Sequence, residues 1–178
     1  MYSLFNHSQP IIISVVALVL FAVYADLRWR KIPNYLTLPA VAAGLLVNFL
    51  ANGWNGLLFG FGGFMLGMGL LILPFLFGGM GGGDVKLMGA LGAFVGCYSV
   101  LNIFFYATLV GGAIAIVVAL ANKNLADTFK RMWLLLKCVF LFRVPMSGAA
   151  LFKKSIAIPY GVAICAGTFI YLSLGRMI

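Results

Sequence analysis

The sequence has 178 residues, of which 64% are hydrophobic and only 8% charged, and its formal net charge is +9 at pH 7. About a quarter of the residues in a soluble globular domain are charged, so this composition excludes that class of protein. The basic residues lie between long apolar runs, which favours roles in membrane orientation and lipid contact and predicts no nucleic-acid partner. We therefore predict one integral-membrane domain over residues 1–178, with the lipid bilayer as a partner.

Six apolar runs follow one another along the chain, and most approach the roughly 20 residues that a helix needs to cross a bilayer. They cover residues 10–25, 35–51, 57–80, 85–101, 103–121 and 156–174. We predict an all-α polytopic membrane protein with about six transmembrane helices. Small residues four positions apart, such as Gly63 and Gly67, predict close packing between these helices.

The first run is followed by the segment D-L-R-W-R-K-I-P-N, which begins at Asp26 and ends at Asn34. An ionisable group at the edge of a membrane span is costly and is rarely kept without a reason. Asp26 is therefore a candidate catalytic residue, while an ion pair with Arg28 or Arg30 would explain it structurally. We expect Pro33 and Asn34 to shape and cap the turn into the second run.

The third and fourth runs meet where Gly81, Gly82 and Gly83 precede Asp84, with Lys86 two residues further on. A carboxylate here could cap the fourth helix. Three glycines exceed what a cap requires, however, and they permit unusual dihedral angles and close approach of another segment. Irregular backbone at this depth is tolerated where it lines a watery cavity, so Asp84 is the second candidate catalytic residue. Lys86 could tune Asp84, contact a substrate or extend to lipid head groups.

The connection over residues 122–155 is strongly basic and is predicted to be cytoplasmic or interfacial. Its residues 129–143 predict a basic amphipathic helix in the interface, with a re-entrant or spanning helix as the alternatives. Eleven of the twelve basic residues fall on the same face as this connection. The positive-inside rule then places both aspartates on the cytoplasmic side and both termini outside.

Two carboxylates at one depth suggest a specific chemistry. Neighbouring carboxylates share a proton, so the ionised one can activate a water while the protonated one donates to a peptide carbonyl. The single histidine, His7, is predicted on the opposite side, and the third acidic residue, Asp127, lies in the basic connection. The three cysteines form no C-x-x-C pair, so we predict no metal and no cofactor.

Three segments together resemble the type IV prepilin peptidase family. Asp26–Asn34 is similar to its D-x-x-x-x-x-I-P-N signature, and Gly81–Leu87 is similar to the G-x-G-D motif shared with presenilin-like intramembrane aspartyl proteases. A weaker similarity to the family's closing P-Y-G segment comprises Pro159, Tyr160 and Gly161. The resemblance implies that the two aspartates are the catalytic pair of an endopeptidase. Its substrate would be a prepilin or pseudopilin with a short cytoplasmic leader.

The resemblance is to the short form of this family, since neither an inserted cytoplasmic domain nor a C-x-x-C pair is present. It implies a peptidase without N-methyltransferase activity, like the CpaA/TadV-type peptidases of Flp (tight-adherence) pili in the bacterial inner membrane. A small ion- or proton-coupled transporter using the same aspartates is the alternative function, and it would favour carboxylates near the midplane or an inverted repeat. A non-enzymatic assembly subunit would leave the paired aspartates unexplained. The sequence indicates no oligomeric state.

Overall fold

The computed structural model describes residues 9–29, 32–76, 80–121 and 160–174, and its elements within these ranges are all α-helices. In chain order they are α1 (Gln9–Trp29), α2 (Asn34–Leu76), α3 (Gly82–Ala121) and α4 (Tyr160–Leu174). The first three are long and apolar enough to cross a membrane, and α4 is a shorter apolar helix. The prediction of an all-α membrane protein is confirmed for this part of the chain. The basic connection and its predicted helix lie outside it.

Helix α1 buries one face and exposes the other. Its buried apolar residues recur every three or four positions, as a helix with one packed face requires: Val15, Leu18, Val19, Ala22 and Ala25. Large apolar side chains such as Phe21 and Tyr24 are exposed on other faces, which suits contact with lipid. The helix continues to Trp29, beyond the end of the first apolar run at residue 25, so Asp26 lies in the last turn of α1.

Helix α2 has 43 residues, about twice the length of one bilayer crossing. A break at Asn52 (φ −136°, ψ 17°) and Gly53 (φ 57°, ψ −139°) divides it into α2a (residues 34–51) and α2b (residues 54–76). The positive φ at the second position favours glycine. The predicted connection over residues 52–56 is confirmed in place, but it is shorter because residues 54–56 are already helical.

Helix α3 is broken at Gly96 (φ 77°, ψ −179°), which separates α3a (residues 82–95) from α3b (residues 97–121). The predicted division between the run that ends at residue 101 and the run that begins at residue 103 is wrong, because Leu101 and Asn102 lie inside α3b. The amide of Asn102 does not disrupt the helix, since its Nδ2 donates to Tyr98 O one turn earlier (3.0 Å). Because α3a is shorter than a full bilayer crossing, the count of six complete spans stays a prediction.

A buried amide from α2a stabilises the break in α3. Where a helix is interrupted, its last carbonyl groups lose their intrahelical N–H partners. Asn48 Nδ2 donates to Ala93 O (2.8 Å) and Phe94 O (3.2 Å), and also to Gly44 O in its own helix (3.1 Å). In a continuous helix the first two carbonyls would accept from the N–H groups of residues 97 and 98. Asn48 therefore replaces partners that the break removes.

Glycines allow α2b and α3a to pack with their backbones in contact. Gly63 lies directly against the backbones of Gly92 and Gly96, and Gly67 lies against the backbone of Met88. A side chain at either α2b position would overlap a carbonyl oxygen of α3a. The predicted packing role of these small residues is confirmed, and it follows the usual pattern of close helix association within lipid.

Helix α4 packs antiparallel to α3b and brings its N-terminus beside the end of α1 and the start of α3a. Gly111 lies near the Tyr160 ring, Gly167 lies against Ala107, and Tyr171 Oη donates to Ser99 Oγ (3.0 Å) near the other end. Helix α1 packs chiefly against α4. The first turn of α4 is therefore one structural link between the end of α1 and the rest of the bundle.

Candidate active site

Asp26 is buried at the C-terminal end of α1, with 8% of its surface exposed. Its Oδ2 accepts a hydrogen bond from the backbone N–H of Gly161 (3.1 Å), which lies in the first turn of α4. The first N–H groups of a helix have no intrahelical acceptor, so the carboxylate satisfies one of them, and negative charge is favoured at this helix end. No ion pair joins Asp26 to Arg28, and Arg30 lies outside the described residues.

Asp84 is buried in the first turn of α3, with 7% of its surface exposed. Its Oδ2 accepts from the N–H of Gly81 (3.2 Å), and its own N–H donates to Gly81 O (3.1 Å). The first bond is the one that an acidic residue makes in a capping box, so the expected capping contact exists, while the second is a backbone bond because Gly81 has no side chain. It uses only one carboxylate oxygen. Oδ1 is buried and has no hydrogen-bond partner in the part of the chain that the structure describes.

The two carboxylates converge although they come from different helices. Asp26 and Asp84 lie within range of each other's charge, and the Tyr160 hydroxyl is within range of Asp84 as well. A pair of buried carboxylates with an unsatisfied oxygen can hold a water and exchange protons with it. The arrangement is therefore suited to acid–base chemistry on a bond that enters between the helix ends.

The glycines before Asp84 act by allowing close approach. A Cβ on Gly83 would lie 2.8 Å from Ile32 Cβ and 3.1 Å from Ile32 N, so the segment after α1 rests on this glycine. Gly82 faces the Phe75 ring of α2b. The expectation of unusual dihedral angles is wrong for these glycines, since among the described residues only Gly53 and Gly96 have positive φ. The expected approach of another segment is what the structure shows.

Tyr160 and Gly161 lie at the site, whereas Pro159 falls outside the described residues. The Tyr160 hydroxyl is hydrogen-bonded to the side chain of Thr108 in α3b, and its ring lies near Gly111, where a Cβ would come within 2.8 Å. Sequence reasoning missed Thr108, because a threonine within an apolar helix gives no signal of its own.

Pro33, Asn34 and Lys86 form a second group beside the aspartates. The carbonyl of Pro33 accepts from the N–H groups of Leu36 (3.1 Å) and Thr37 (3.4 Å) and so begins α2. The expected cap at Asn34 has a different partner, since Asn34 Oδ1 accepts from Lys86 Nζ (2.8 Å). Sequence patterns could not reveal this contact, because the two residues are 52 positions apart.

Metal-ligand residues do not gather at the site. Within the residues that the structure describes, no three of His, Cys, Asp and Glu stand close enough to hold an ion. His7 and Asp127 lie outside these residues. The absence of a metal in the reaction stays a prediction.

Comparison with known proteins gives two similarities. The profile of the type IV leader peptidase family matches residues 13–116, a segment that contains both aspartates. A protein of Bacillus subtilis (strain 168) named prepilin leader peptidase/N-methyltransferase is 32% identical over 121 residues, which cover 65% of this chain and 48% of the relative. The chain thus matches about half the length of that relative. No solved structure matches the chain.

Proposed function

Because the chain belongs to the type IV leader peptidase family, we propose that it is a membrane-embedded aspartyl endopeptidase that removes the leader from type IV prepilins or pseudopilins. The observation that carries this proposal is the buried convergence of Asp26 and Asp84, with Asp84 Oδ1 left unpartnered. Family membership favours a peptidase over the small transporter that the same aspartates could serve. It names no catalytic residue, so the choice of the pair rests on their geometry.

The proposed reaction uses the pair as acid and base. The ionised carboxylate takes a proton from a water, whose oxygen attacks the carbonyl carbon of the peptide bond. The protonated carboxyl donates to the carbonyl oxygen, and the tetrahedral intermediate then collapses as the leaving amine receives a proton. The N–H of Gly161 donates to Asp26 Oδ2, and the N–H of Gly81 donates to Asp84 Oδ2. The other oxygen of each carboxylate is then available to water and substrate.

The proposed substrate follows from the family and from charge. The Bacillus subtilis relative is named for prepilin leader cleavage, and a leader ahead of a hydrophobic helix would present its cleavage site at the membrane boundary. The excess of basic residues on one side favours a site facing the cytoplasm. The chain would then act in the bacterial inner membrane, and its resemblance to the CpaA/TadV-type peptidases suggests a pilin of the Flp (tight-adherence) type.

We also propose that the protein cleaves without methylating. The relative's name includes an N-methyltransferase activity, whereas the present sequence has three cysteines and no C-x-x-C pair. The resemblance associates methylation with a domain that carries such pairs. The mass of the new pilin N-terminus distinguishes the two outcomes, because a methyl group adds about 14 Da.

Co-expression with a candidate prepilin tests the proposed peptidase. We expect the wild type to trim the leader, and Asp26→Asn and Asp84→Asn each to reduce trimming by about a thousandfold or more, since each removes one partner of the acid–base pair. The measurement is the ratio of trimmed to untrimmed pilin by immunoblot and mass spectrometry, with comparable enzyme levels in the membrane fraction.

Asp127→Asn is the matched control, since it changes the remaining acidic residue of the sequence in the same way. It should trim at the wild-type rate. If Asp26→Asn or Asp84→Asn trims as fast as the wild type, the aspartyl mechanism is wrong.

A further inference from the structure

The side chain of Lys86 joins the two segments that carry the candidate aspartates. Lys86 lies two residues after Asp84 in α3, and its Nζ donates to Oδ1 of Asn34, the first residue of α2 (2.8 Å). Asn34 ends the short segment that follows α1 and therefore follows Asp26. One hydrogen bond thus connects the helix of one aspartate to the segment that follows the other.

A second contact joins the same two segments next to this bond. Ile32 is buried, and its backbone and Cβ lie against Gly83 so closely that a Cβ on Gly83 would come within 2.8 Å of Ile32 Cβ. The segment over residues 32–34 is therefore held on the first turn of α3 at two points. One contact is apolar and buried, and the other is polar and exposed.

The position of Lys86 argues against direct action on an aspartate. Among the described residues it forms no ion pair with Asp26 or Asp84, and its Nζ is directed to Asn34 instead. Lys86 is half-buried, and its sequence neighbours Val85 and Leu87 are buried. This position suits a lysine whose aliphatic chain lies on apolar surface while its ammonium group reaches a polar partner. The bond from Lys86 to Asn34 is the feature that connects it to the site.

Direct packing between α1 and α3, the helix that carries Asp84, is limited. Helix α1 packs chiefly against α4 and makes few direct contacts with α3. Two further links then bear on the distance between Asp26 and Asp84, the Gly161–Asp26 hydrogen bond through α4 and the docked segment over residues 32–34. Acid–base catalysis is sensitive to displacements of about 1 Å, so either link can control the rate.

We propose that Lys86 is a positioning residue that fastens the segment after Asp26 to the helix of Asp84 and so sets the separation of the two carboxylates. This inference rests on the proposed peptidase function. It predicts that Lys86 acts through Asn34 rather than on the substrate.

A double-mutant cycle tests the link kinetically in the purified full-length protein. Lys86→Met and Asn34→Leu should each lower kcat for leader cleavage by roughly tenfold with little change in KM. The double variant should be no slower than either single variant, because both remove the same contact. Asn34→Asp keeps an oxygen acceptor for the ammonium group and should restore kcat to near the wild-type value.

Asn102→Ala is the matched control, since Asn102 also uses its amide in an exposed hydrogen bond, to Tyr98 O within one helix. It should leave kcat and KM unchanged. An increase in KM for Lys86→Met with kcat unchanged, or losses that multiply in the double variant, would instead indicate a substrate contact and overturn the proposal.

A positional measurement separates this inference from the peptidase proposal. Spin labels at Leu27→Cys and Leu76→Cys, both exposed, report the distance from the end of α1 to the end of α2b in a background lacking native cysteines. Lys86→Met should broaden this distance distribution, and Asn102→Ala should not. An unchanged distribution overturns the proposal. A broadened one supports it even if the wild type cleaves no prepilin, in which case the proposed function alone has failed.

Discussion

The two oxygens of the Asp84 carboxylate have different surroundings, which allows one side chain to serve both folding and chemistry. Oδ2 accepts the N–H of Gly81 and holds the start of α3, whereas Oδ1 is buried without a partner among the described residues. Leaving such an atom unsatisfied costs roughly 1–3 kcal/mol. A buried polar atom without a partner in the protein usually indicates that a group from outside the chain, such as a water or a ligand, completes its hydrogen bonding. We expect that group to be a water that donates to Oδ1, or a substrate carbonyl that accepts from Oδ1 when the carboxyl is protonated.

The close contact between Gly161 and Asp26 can be tested by a single substitution. The N–H of Gly161 donates to Asp26, and a Cβ at this position would lie 2.7 Å from Asp26 Oδ2. Gly161→Ala should therefore displace the carboxylate and lower kcat for leader cleavage by about a hundredfold. The measurement is steady-state cleavage of a purified prepilin, with the melting temperature followed in parallel.

Gly112→Ala is the control for this prediction, because a Cβ there meets nothing within 4 Å. It makes the same chemical change in an apolar helix and should retain both activity and melting temperature. Equal cleavage rates for Gly161→Ala and the wild type would show that the contact between α4 and Asp26 does not set the geometry of the site.

At the scale of the elements, two breaks turn long helices into shorter segments that pack around the site. Gly53 divides α2 and Gly96 divides α3, both with positive φ. Asn48 then donates to the two carbonyl groups that the break in α3 deprives of partners. The end of α2b and the start of α3a thereby meet at Phe75 and Gly82, just before Asp84.

Removing the Asn48 side chain should weaken the fold rather than the chemistry. Asn48→Ala leaves Ala93 O and Phe94 O without their side-chain donor, so we expect unfolding free energy to fall by about 1–3 kcal/mol. The measurement is unfolding in mixed detergent and SDS, with Asn102→Ala as the exposed control, expected within about 0.5 kcal/mol of wild type. A stability equal to that of the control would mean that Asn48 does not support the break.

The sequence predicted where the helices lie better than where they are broken. Apolar runs suffice to locate α1, α2a and α2b, because this signal is local, and charge patterns predict one side of the membrane for Asp26 and Asp84. The break at Gly96 could not be located, since the residues around it are apolar and the stabilising amide comes from Asn48, 45 positions before its acceptor Ala93. The bond between Asp26 and Gly161 spans 135 positions and likewise depends on tertiary packing.

For the whole molecule, the arrangement gathers the ends of α1 and α2b and the N-termini of α3a and α4 around one buried pair of carboxylates. The other end of the bundle contains the breaks at Asn52 and Gly96. Among the described residues, the charged side chains therefore lie at the end of the bundle that holds the two aspartates, and the opposite end carries none. The basic residues of the sequence indicate that the end with the aspartates faces the cytoplasm.

Cysteine accessibility tests this orientation. In a background lacking the native cysteines, Asn124→Cys in the basic connection should react with a membrane-impermeant maleimide only after the inner membrane is opened. Asn52→Cys, at the break in α2, should react in intact spheroplasts. The reverse pattern would place the aspartates on the outer side and contradict cleavage of a cytoplasmic leader.

The central claim is that Asp26 and Asp84 act together in one cleavage step, and kinetics of the purified protein test it most directly. The measurement is kcat/KM for leader cleavage by the wild type, Asp26→Asn, Asp84→Asn and the double variant. If the two carboxylates share one step, each single variant falls to the same low rate and the double variant falls no further. A wild-type rate in either single variant, or losses that multiply in the double variant, would contradict the claim.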